Sequence, residues 1–379
     1  MPVGPVDDKG TVLYFEDSGA PEGSLDYVTL VLVHGAMIHS AIFRKMIPYA
    51  AVNNLRLVLL NKRDYPGSTL YSQEELEALA SLDREVQAAA IKARGFEFAA
   101  FMRWFIETES IPPLSEIPGT DGMRAGGIAI LGWSAGNRQT ISLLAHAHEL
   151  QDETKTFLNS YFRSFIVFDC APTGLGFPPL PGLYSPLRDP KAANKNTTEF
   201  PISIATYFTQ VVTRPDEDAE SPGFVEMLHA RKPMHEAEGA DPRFMPTTLR
   251  MTPEERAEVT YAEAVWRSQR LILRMDVSVF RENVLQAFFE CLVDDSTGGE
   301  QLIWPRVKVH SVWCDMSPGD DVYGGNKLKQ MVREYRGKGR GRSVEVHKLE
   351  QANHFVHWDE PERTTKFLAT IMQIEHLYK

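Results

Sequence analysis

Residues 127–136, GIAILGWSAG, carry the most information about the fold. The first five residues form a short apolar run typical of a buried strand, and a helical pattern follows from Gln139 to Leu150. Between them, GWSAG matches the pattern G-x-S-x-G, in which a serine stands on a tight strand-to-helix turn with its hydroxyl at the edge of a sheet. Ser134 is therefore predicted to be a nucleophile.

Further apolar runs occur on both sides of this stretch, and helical patterns separate most of them. The predicted helices include 40–51, 73–108, 326–335 and 361–374, and in the second of these Phe98, Phe101, Met102 and Phe105 recur at helical spacing. Strands that alternate with helices predict an α/β fold with a doubly wound, mostly parallel sheet. The predicted strands are 11–15, 27–33 (YVTLVLV), 55–60 (LRLVLL), 127–131, 165–168 (FIVF), 307–313 (VKVHSVW) and 344–349.

The alternation stops near residue 171, where the chain becomes rich in proline, glycine and acidic residues. Helical patterns follow in 261–270 and 280–292 before the strands resume. The pattern predicts one core domain, 1–171 and 294–379, interrupted by a largely helical lid, 172–293. Apolar lid side chains are expected either to line a pocket or to pack the lid on the core. They are Tyr184, Phe200, Tyr207, Phe208, Phe224 and Met227.

A serine at its ordinary pKa is a poor nucleophile and needs a neighbouring base. The chain has 11 histidines. His354 lies between the last predicted strand and the last predicted helix, where a doubly wound sheet returns a side chain to its carboxyl edge. His354 is therefore the predicted base, with His357 as an alternative.

The acid that orients this histidine has two candidate locations. Asp169 directly follows the strand FIVF, whereas Asp315, Asp320 and Asp321 follow the strand that ends at Trp313. An aspartate bonded to the imidazole fixes its tautomer and stabilises the imidazolium. Spacing along the chain does not distinguish the two locations.

The segment after the strand YVTLVLV is predicted to stabilise negative charge on a reacting carbonyl oxygen. Acyl transfer requires N–H donors aimed at that oxygen. The backbone N–H groups of Ala36 or Met37 and of Ala135 are the predicted donors, and His34 is interpreted as a brace for this loop.

Composition excludes several classes of function. The formal net charge of −11 argues against a nucleic-acid-binding protein. The chain contains no run of about 18 apolar residues, so no membrane span is predicted. Zinc and nucleotide-cofactor motifs are missing, so neither a metal nor a cofactor is predicted. Three cysteines and no signal-like pattern in Met1–Gly10 lead us to expect a cytoplasmic protein.

Three of these segments together resemble the α/β-hydrolase fold family: HGAM at 34–37, GWSAG at 132–136 and NHFVHWDEP at 353–361. The order Ser134, acid, His354 is also that of the family. More narrowly, RDYPGST at 63–69 and FDCAPTGLGFPPLP at 168–181 resemble a largely uncharacterised fungal group.

The segment WCDMSPGDD, 313–321, lacks the glycine spacing of the family's usual acid loop after the seventh strand. Some members take the acid from the end of the sixth strand, which here is Asp169. We therefore predict Asp169 as the acid, with Asp321 next.

The resemblance implies a serine hydrolase that cleaves or transfers an ester or lactone acyl group through an acyl-enzyme. A small apolar ester or lactone is the expected substrate. A lyase or carbon–carbon bond hydrolase on the same residues, and a ligand receptor that retains them, remain alternatives. A homodimer remains open as the oligomeric state. Ser134 argues against dehalogenases and epoxide hydrolases, which place an aspartate there.

Overall fold

The computed structural model describes residues 2–117, 120, 122–183, 196–214, 216–294 and 299–373. Its centre is an eight-stranded sheet with the strand order β1-β2-β4-β3-β5-β6-β7-β8. The strands are β1 (Val3–Pro5), β2 (Val12–Asp17), β3 (Val28–Val33), β4 (Leu55–Leu60), β5 (Ile128–Trp133), β6 (Phe162–Phe168), β7 (Lys308–Cys314) and β8 (Val344–Leu349). From β4 to β8 all neighbours are parallel, and β2 pairs antiparallel with both β1 and β4.

Helices cover both faces of this sheet, and further helices lie in the segment between β6 and β7. They are α1 (Gln73–Ala80), α2 (Arg84–Glu109), α3 (Asn137–Ala145), α4 (Asp152–Asn159), α5 (Asn196–Ile204), α6 (Pro222–Ala230), α7 (Thr247–Arg250), α8 (Pro253–Val259), α9 (Ala262–Ala264), α10 (Arg270–Leu273), α11 (Val277–Val284), α12 (Gly319–Tyr335), α13 (Val356–Asp359) and α14 (Pro361–Gln373). Within the described ranges, no helix is long and apolar enough to cross a membrane.

The four central strands are buried at every residue. They are mostly apolar because packed helices cover both faces of a parallel sheet. The buried polar exceptions are Thr29, Arg56, Arg163 and Ser164. On one face, Phe98, Phe101 and Phe105 of α2 pack in the core, at the helical spacing that predicted them. On the other face lie α14 and the 3₁₀ segment Ser40–Tyr49.

This strand order, with a serine turn after β5, is the α/β-hydrolase fold, so the predicted fold class is confirmed. The details differ in three places. The helix predicted over 73–108 is two helices, because Asp83 caps a new helix with its side chain. The segment 40–51 is 3₁₀ rather than α and contains Pro48. The edge strand β1 was not predicted.

The segment between β6 and β7 contains mainly short helices, and a two-stranded antiparallel sheet of Leu292–Asp294 and Glu300–Leu302 lies near its end. Its last helix, α11, continues through the π-helical turn Leu285–Phe289. Phe288 packs against Phe165 of β6, with 5.9 Å between ring centroids. The end of this segment therefore contributes to the core under the sheet. Tyr184, one of the apolar side chains predicted for the lid, lies outside the described residues.

Candidate active site

Ser134 stands between β5 and α3 in a left-handed backbone conformation, with φ 53°. A residue other than glycine is uncommon there, and such strain concentrates at functional sites. The Asn137 side-chain amide fastens the turn, since it donates to the backbone oxygens of Ser134 at 2.9 Å and Phe168 at 3.2 Å. Ser134 is partly exposed. The turn therefore presents a serine at the carboxyl edge of the sheet, next to the end of β6.

His354 lies in the loop after β8 and is 1% exposed. The indole Nε1 of Trp133 donates to its backbone oxygen at 3.0 Å, and the two rings lie 4.9 Å apart. Trp133 directly precedes Ser134. The histidine loop is therefore fastened to the serine turn.

Asp169 is fully buried at the end of β6, also with a left-handed backbone, φ 46°. Its Oδ2 accepts hydrogen bonds from His354 Nδ1 at 2.7 Å and from Ser317 Oγ at 2.5 Å. Its Oδ1 accepts from the Cys314 amide at 3.0 Å. Three donors therefore hold this carboxylate in one orientation. Of the predicted acids, Asp169 is the one brought to hydrogen-bond distance of His354.

Asp321 is a second carboxylate beside the same imidazole. Its Oδ2 lies 3.9 Å from His354 Nδ1, and the residue is buried. Burial raises the pKa of Asp321, and the charges of Asp169 and Asp320 raise it further, against the opposing effect of His354. The sequence predicted a loop here, ahead of a helix over 326–335. That prediction was wrong, because α12 begins at Gly319 and Asp321 lies in its first turn.

The two carboxylates together control the charge of His354. Burial lowers the pKa of this imidazole, but the negative charges of Asp321 and Asp169 and the bond to Asp169 outweigh burial. The net effect is a pKa above the ordinary value. The surroundings therefore stabilise an imidazolium at this position.

The other candidates have different surroundings. Asp315 accepts hydrogen bonds from the Gln210 side chain at 2.7 Å and from the Ala352 amide at 3.4 Å. Asp320 lies beside Asp321 in the first turn of α12. Among the described residues, neither ring nitrogen of His357 has a hydrogen-bond partner, and its ring packs 4.6 Å from that of Trp133. His357 is therefore part of the core.

The loop after β3 lies directly against the serine. A Cβ on Gly35 would lie 3.0 Å from Ser134 Cβ and 3.3 Å from its Oγ, which is tighter than ordinary packing, so glycine favours this close approach. The Met37 amide donates to the Tyr65 hydroxyl at 3.1 Å. No hydrogen bond of the described residues uses the Ala36 amide. Ala135 lies in the first helical turn, where N–H groups have no partner within the helix.

His34 holds this loop in place. Its Nε2 accepts from the Lys62 amide at 3.2 Å, which leaves Nδ1 to donate to the Gly35 oxygen at 3.0 Å. Burial and the charge of Lys62 lower its pKa well below the ordinary value, so the ring is neutral. These contacts agree with the bracing role that the sequence indicated.

Two residues beside this loop were missed in the sequence. Lys62 is buried, and its Nζ donates to the Gly35 oxygen at 3.0 Å and to Gln269 Oε1 at 3.2 Å. Burial and the charge of Arg138 lower the pKa of Lys62 to about 7. Tyr65 is the acceptor for Met37. Lys62 and Tyr65 both follow the buried strand β4. Polar residues directly after a buried strand are the signal in the sequence that could have identified them.

Most of the described side chains that were predicted for the lid pack against other parts of the chain. Phe224 and Met227 pack with Trp313 of β7 and with α12. The Tyr207 hydroxyl donates to Asp359 at 2.7 Å. Phe208 lies near the Arg231 guanidinium. Phe200 packs against Met37 of the loop after β3. Among these side chains, Phe200 therefore contacts the serine side of the sheet edge.

The inserted segment is bonded to two of the loops around the serine. The amides of Phe208 and Val211 donate to the oxygens of Met316 and Asp315, at 2.9 and 3.0 Å. On the other side, the Tyr261 amide donates to the Met37 oxygen at 2.8 Å. The insertion therefore spans from the loop after β7 to the loop after β3.

No family model matches the chain, and no curated protein matches it. Similar solved structures include an esterase from Exiguobacterium antarcticum, at 12% identity and a TM-score of 0.49, covering 98% of this chain and 99% of that one. A putative aryl esterase from Burkholderia cenocepacia shows 14% identity and a TM-score of 0.49. This match covers 98% of this chain and 97% of that one. A bromoperoxidase from Bacillus anthracis shows 9% identity and a TM-score of 0.46, and the match covers 98% of each chain.

Proposed function

We propose that this chain is a serine hydrolase that cleaves or transfers an ester or lactone acyl group through an acyl-enzyme. The observation that carries the proposal is the 2.7 Å hydrogen bond from His354 to Asp169. The loop that contains His354 is also bonded to Trp133, directly before Ser134. A strained, partly exposed serine, a buried histidine and a buried carboxylate are the groups that acyl transfer requires.

In the proposed reaction, Ser134 Oγ attacks the carbonyl carbon while His354 Nε2 takes its proton. Asp169 holds the proton on Nδ1, which leaves Nε2 free to accept. Collapse of the tetrahedral intermediate expels the alcohol, which takes the proton from Nε2. Water or another alcohol then attacks the acyl-enzyme, with His354 again accepting a proton, and Ser134 is released.

The oxyanion of the intermediate would accept hydrogen bonds from the amides of Ala36 and Ala135. Of the two amides predicted in the loop after β3, that of Met37 already has the Tyr65 hydroxyl as acceptor, so we assign the role to Ala36. Lys62 and His34 hold the Gly35 carbonyl and so fix the direction of the neighbouring amide.

We further propose that the segment 172–276 is the lid over Ser134, while the helix from Val277 to Phe289 belongs to the core domain. The backbone bonds from Val211 and Tyr261 to loops at the sheet edge support this division. The apolar contact of Phe200 with Met37 supports a small apolar acyl group. We also propose that the relatives of this chain include the fungal α/β-hydrolases that its segments 63–69 and 168–181 resemble.

Hydrolysis of p-nitrophenyl esters of increasing chain length tests this function. We expect turnover that favours short acyl chains, and one equivalent of fluorophosphonate bound per chain, because the same activated serine reacts with both. Labelling without turnover would instead support a receptor that retains the catalytic residues. Absence of both would refute the proposal.

The pH dependence of the reaction should report the raised pKa of His354. The imidazole must be neutral to accept the serine proton, so activity is lost as the pH falls through its pKa. Two nearby carboxylates raise that pKa, so the acidic limb of kcat/KM should lie above the reference value of about 6.5.

Asp321→Asn removes one negative charge beside His354 and should move this limb to lower pH while the plateau rate changes little. Rates at each pH, with circular dichroism as a control for folding, measure both effects. A wild-type rate that is flat between about pH 5 and 8, with chemistry rate-limiting, would contradict the assignment of His354.

A further inference from the structure

A second group of chemically active side chains lies on β7 and β8, away from the serine. His310 pairs with Glu345 in the parallel register, and Val312 pairs with His347. Alternate residues of a strand share a face, so Glu345 and His347 point to the same side of the sheet. Among the described residues, this is the group in which three side chains capable of binding a metal converge.

The three nearest ligand atoms form a compact triangle. His310 Nδ1 lies 3.2 Å from His347 Nε2 and 3.6 Å from Glu345 Oε2, and His347 Nε2 lies 3.7 Å from the same oxygen. A tetrahedral Zn²⁺ with bonds of about 2.0–2.2 Å holds its ligand atoms about 3.3–3.6 Å apart. The triangle therefore matches three corners of such a site with little movement.

The state of these side chains also suits a metal ion. His310 Nδ1 and His347 Nε2 lie at hydrogen-bond distance, so binding of a metal ion would replace the proton between them. His310 is 1% exposed. Glu345 and His347 are partly exposed, which gives an ion a path from solvent. Two imidazoles with one carboxylate form a donor set that zinc accepts.

We propose that His310, Glu345 and His347 bind a Zn²⁺ ion, with water at the fourth position. The ligands come from two strands, so zinc motifs of short spacing do not predict the site. This proposal departs from the expectation of no metal based on those motifs.

The site lies apart from the proposed reaction. His310 is four residues before Cys314, whose amide binds Asp169, which is roughly 13 Å along a strand. The ion would cross-link β8, the edge strand that leads to the His354 loop, to β7. Because it binds the folded sheet, it should raise the unfolding temperature. The role is structural and independent of ester hydrolysis.

Zinc titration of the full-length, tag-free protein after treatment with a chelator tests the site. We expect one Zn²⁺ per chain by calorimetry and a rise in the unfolding temperature. With Co²⁺ as a substitute, we expect the strong visible absorption of a tetrahedral ion. Loss of one ligand should weaken binding by about 10- to 100-fold or more in His347→Ala and Glu345→Gln.

His148→Ala is the matched control, because His148 lies with His146 and Glu149 in a second histidine and glutamate group, on the surface. This variant should bind zinc as the wild type does. If His347→Ala fails to fold, Glu345→Gln, at a partly exposed position, decides the result. No binding, or binding that is equal in Glu345→Gln and wild type, would overturn the proposal.

Discussion

Replacing Ser134 with alanine is expected to reduce turnover by about 10⁴- to 10⁶-fold while the protein remains folded. The residual rate would come from the oxyanion donors and from binding. The physical reason is that no acyl-enzyme can form without the hydroxyl. Steady-state rates on a p-nitrophenyl ester, together with the unfolding temperature, measure the effect.

Folding should not be the cause of this loss. Ser134 is partly exposed and its backbone strain persists in the alanine variant, so the unfolding temperature should change little. Fluorophosphonate labelling is the control, since it should disappear with Ser134. Retention of more than a few per cent of the activity, or continued labelling, would show that another residue is the nucleophile.

Asp169→Asn is expected to lower the rate by about 10⁴-fold, because the amide presents a donor to His354 and favours the wrong tautomer. Asp321→Asn is the matched variant, at 3.9 Å from the same nitrogen. It should retain the plateau rate within about tenfold, because it removes charge but not the 2.7 Å bond. Rates for the two variants, measured at a pH above both acidic limbs, compare the two carboxylates directly.

The structural cost of each change must be measured separately. Asp169 accepts bonds from Cys314 and Ser317 as well as His354, so its replacement will also destabilise the fold. Denaturant unfolding distinguishes this cost from catalysis. A large loss of activity in Asp321→Asn, with near-normal activity in Asp169→Asn, would contradict this prediction. It would show that Asp321, after β7, is the acid that orients His354, at the position that α/β-hydrolases usually use.

Much of the site could be predicted because it depends on strand ends. Ser134, Asp169 and His354 each follow a strand that is visible in the sequence, and parallel strands bring such positions to one edge. Distance to His354 was not predictable, because both Asp169 and Asp321 follow strands that reach this edge.

The start of α12 was missed for an identifiable reason. Gly324 and Gly325 give its first turns low helix propensity, so the sequence favoured a later start. A Cβ on Gly325 would lie 2.6 Å from Trp313 Cβ, so the glycines allow the helix to pack tightly on β7. Tertiary packing therefore overrides local propensity here and carries Asp321 toward His354.

The division of the insertion that we propose also depends on information that the sequence does not carry. Val284 and Phe288 form an apolar face at helical spacing, and that pattern is the same whether the face covers a pocket or a sheet. The roles of Met37 and Tyr65 likewise depend on a contact between distant segments. Periodicity identifies which side chains are buried but not their partners.

The backbone bonds between the insertion and the loops at the sheet edge restrict how a substrate can reach Ser134. Swinging the insertion away as one flap would break the bonds from Tyr261 to Met37 and from Val211 to Asp315. Those bonds hold loops that the reaction itself needs. In the proposed reaction we therefore expect substrate to enter through local movements of side chains and short loops. A change that loosens the insertion as a whole is expected to widen access while disordering the proposed oxyanion donors.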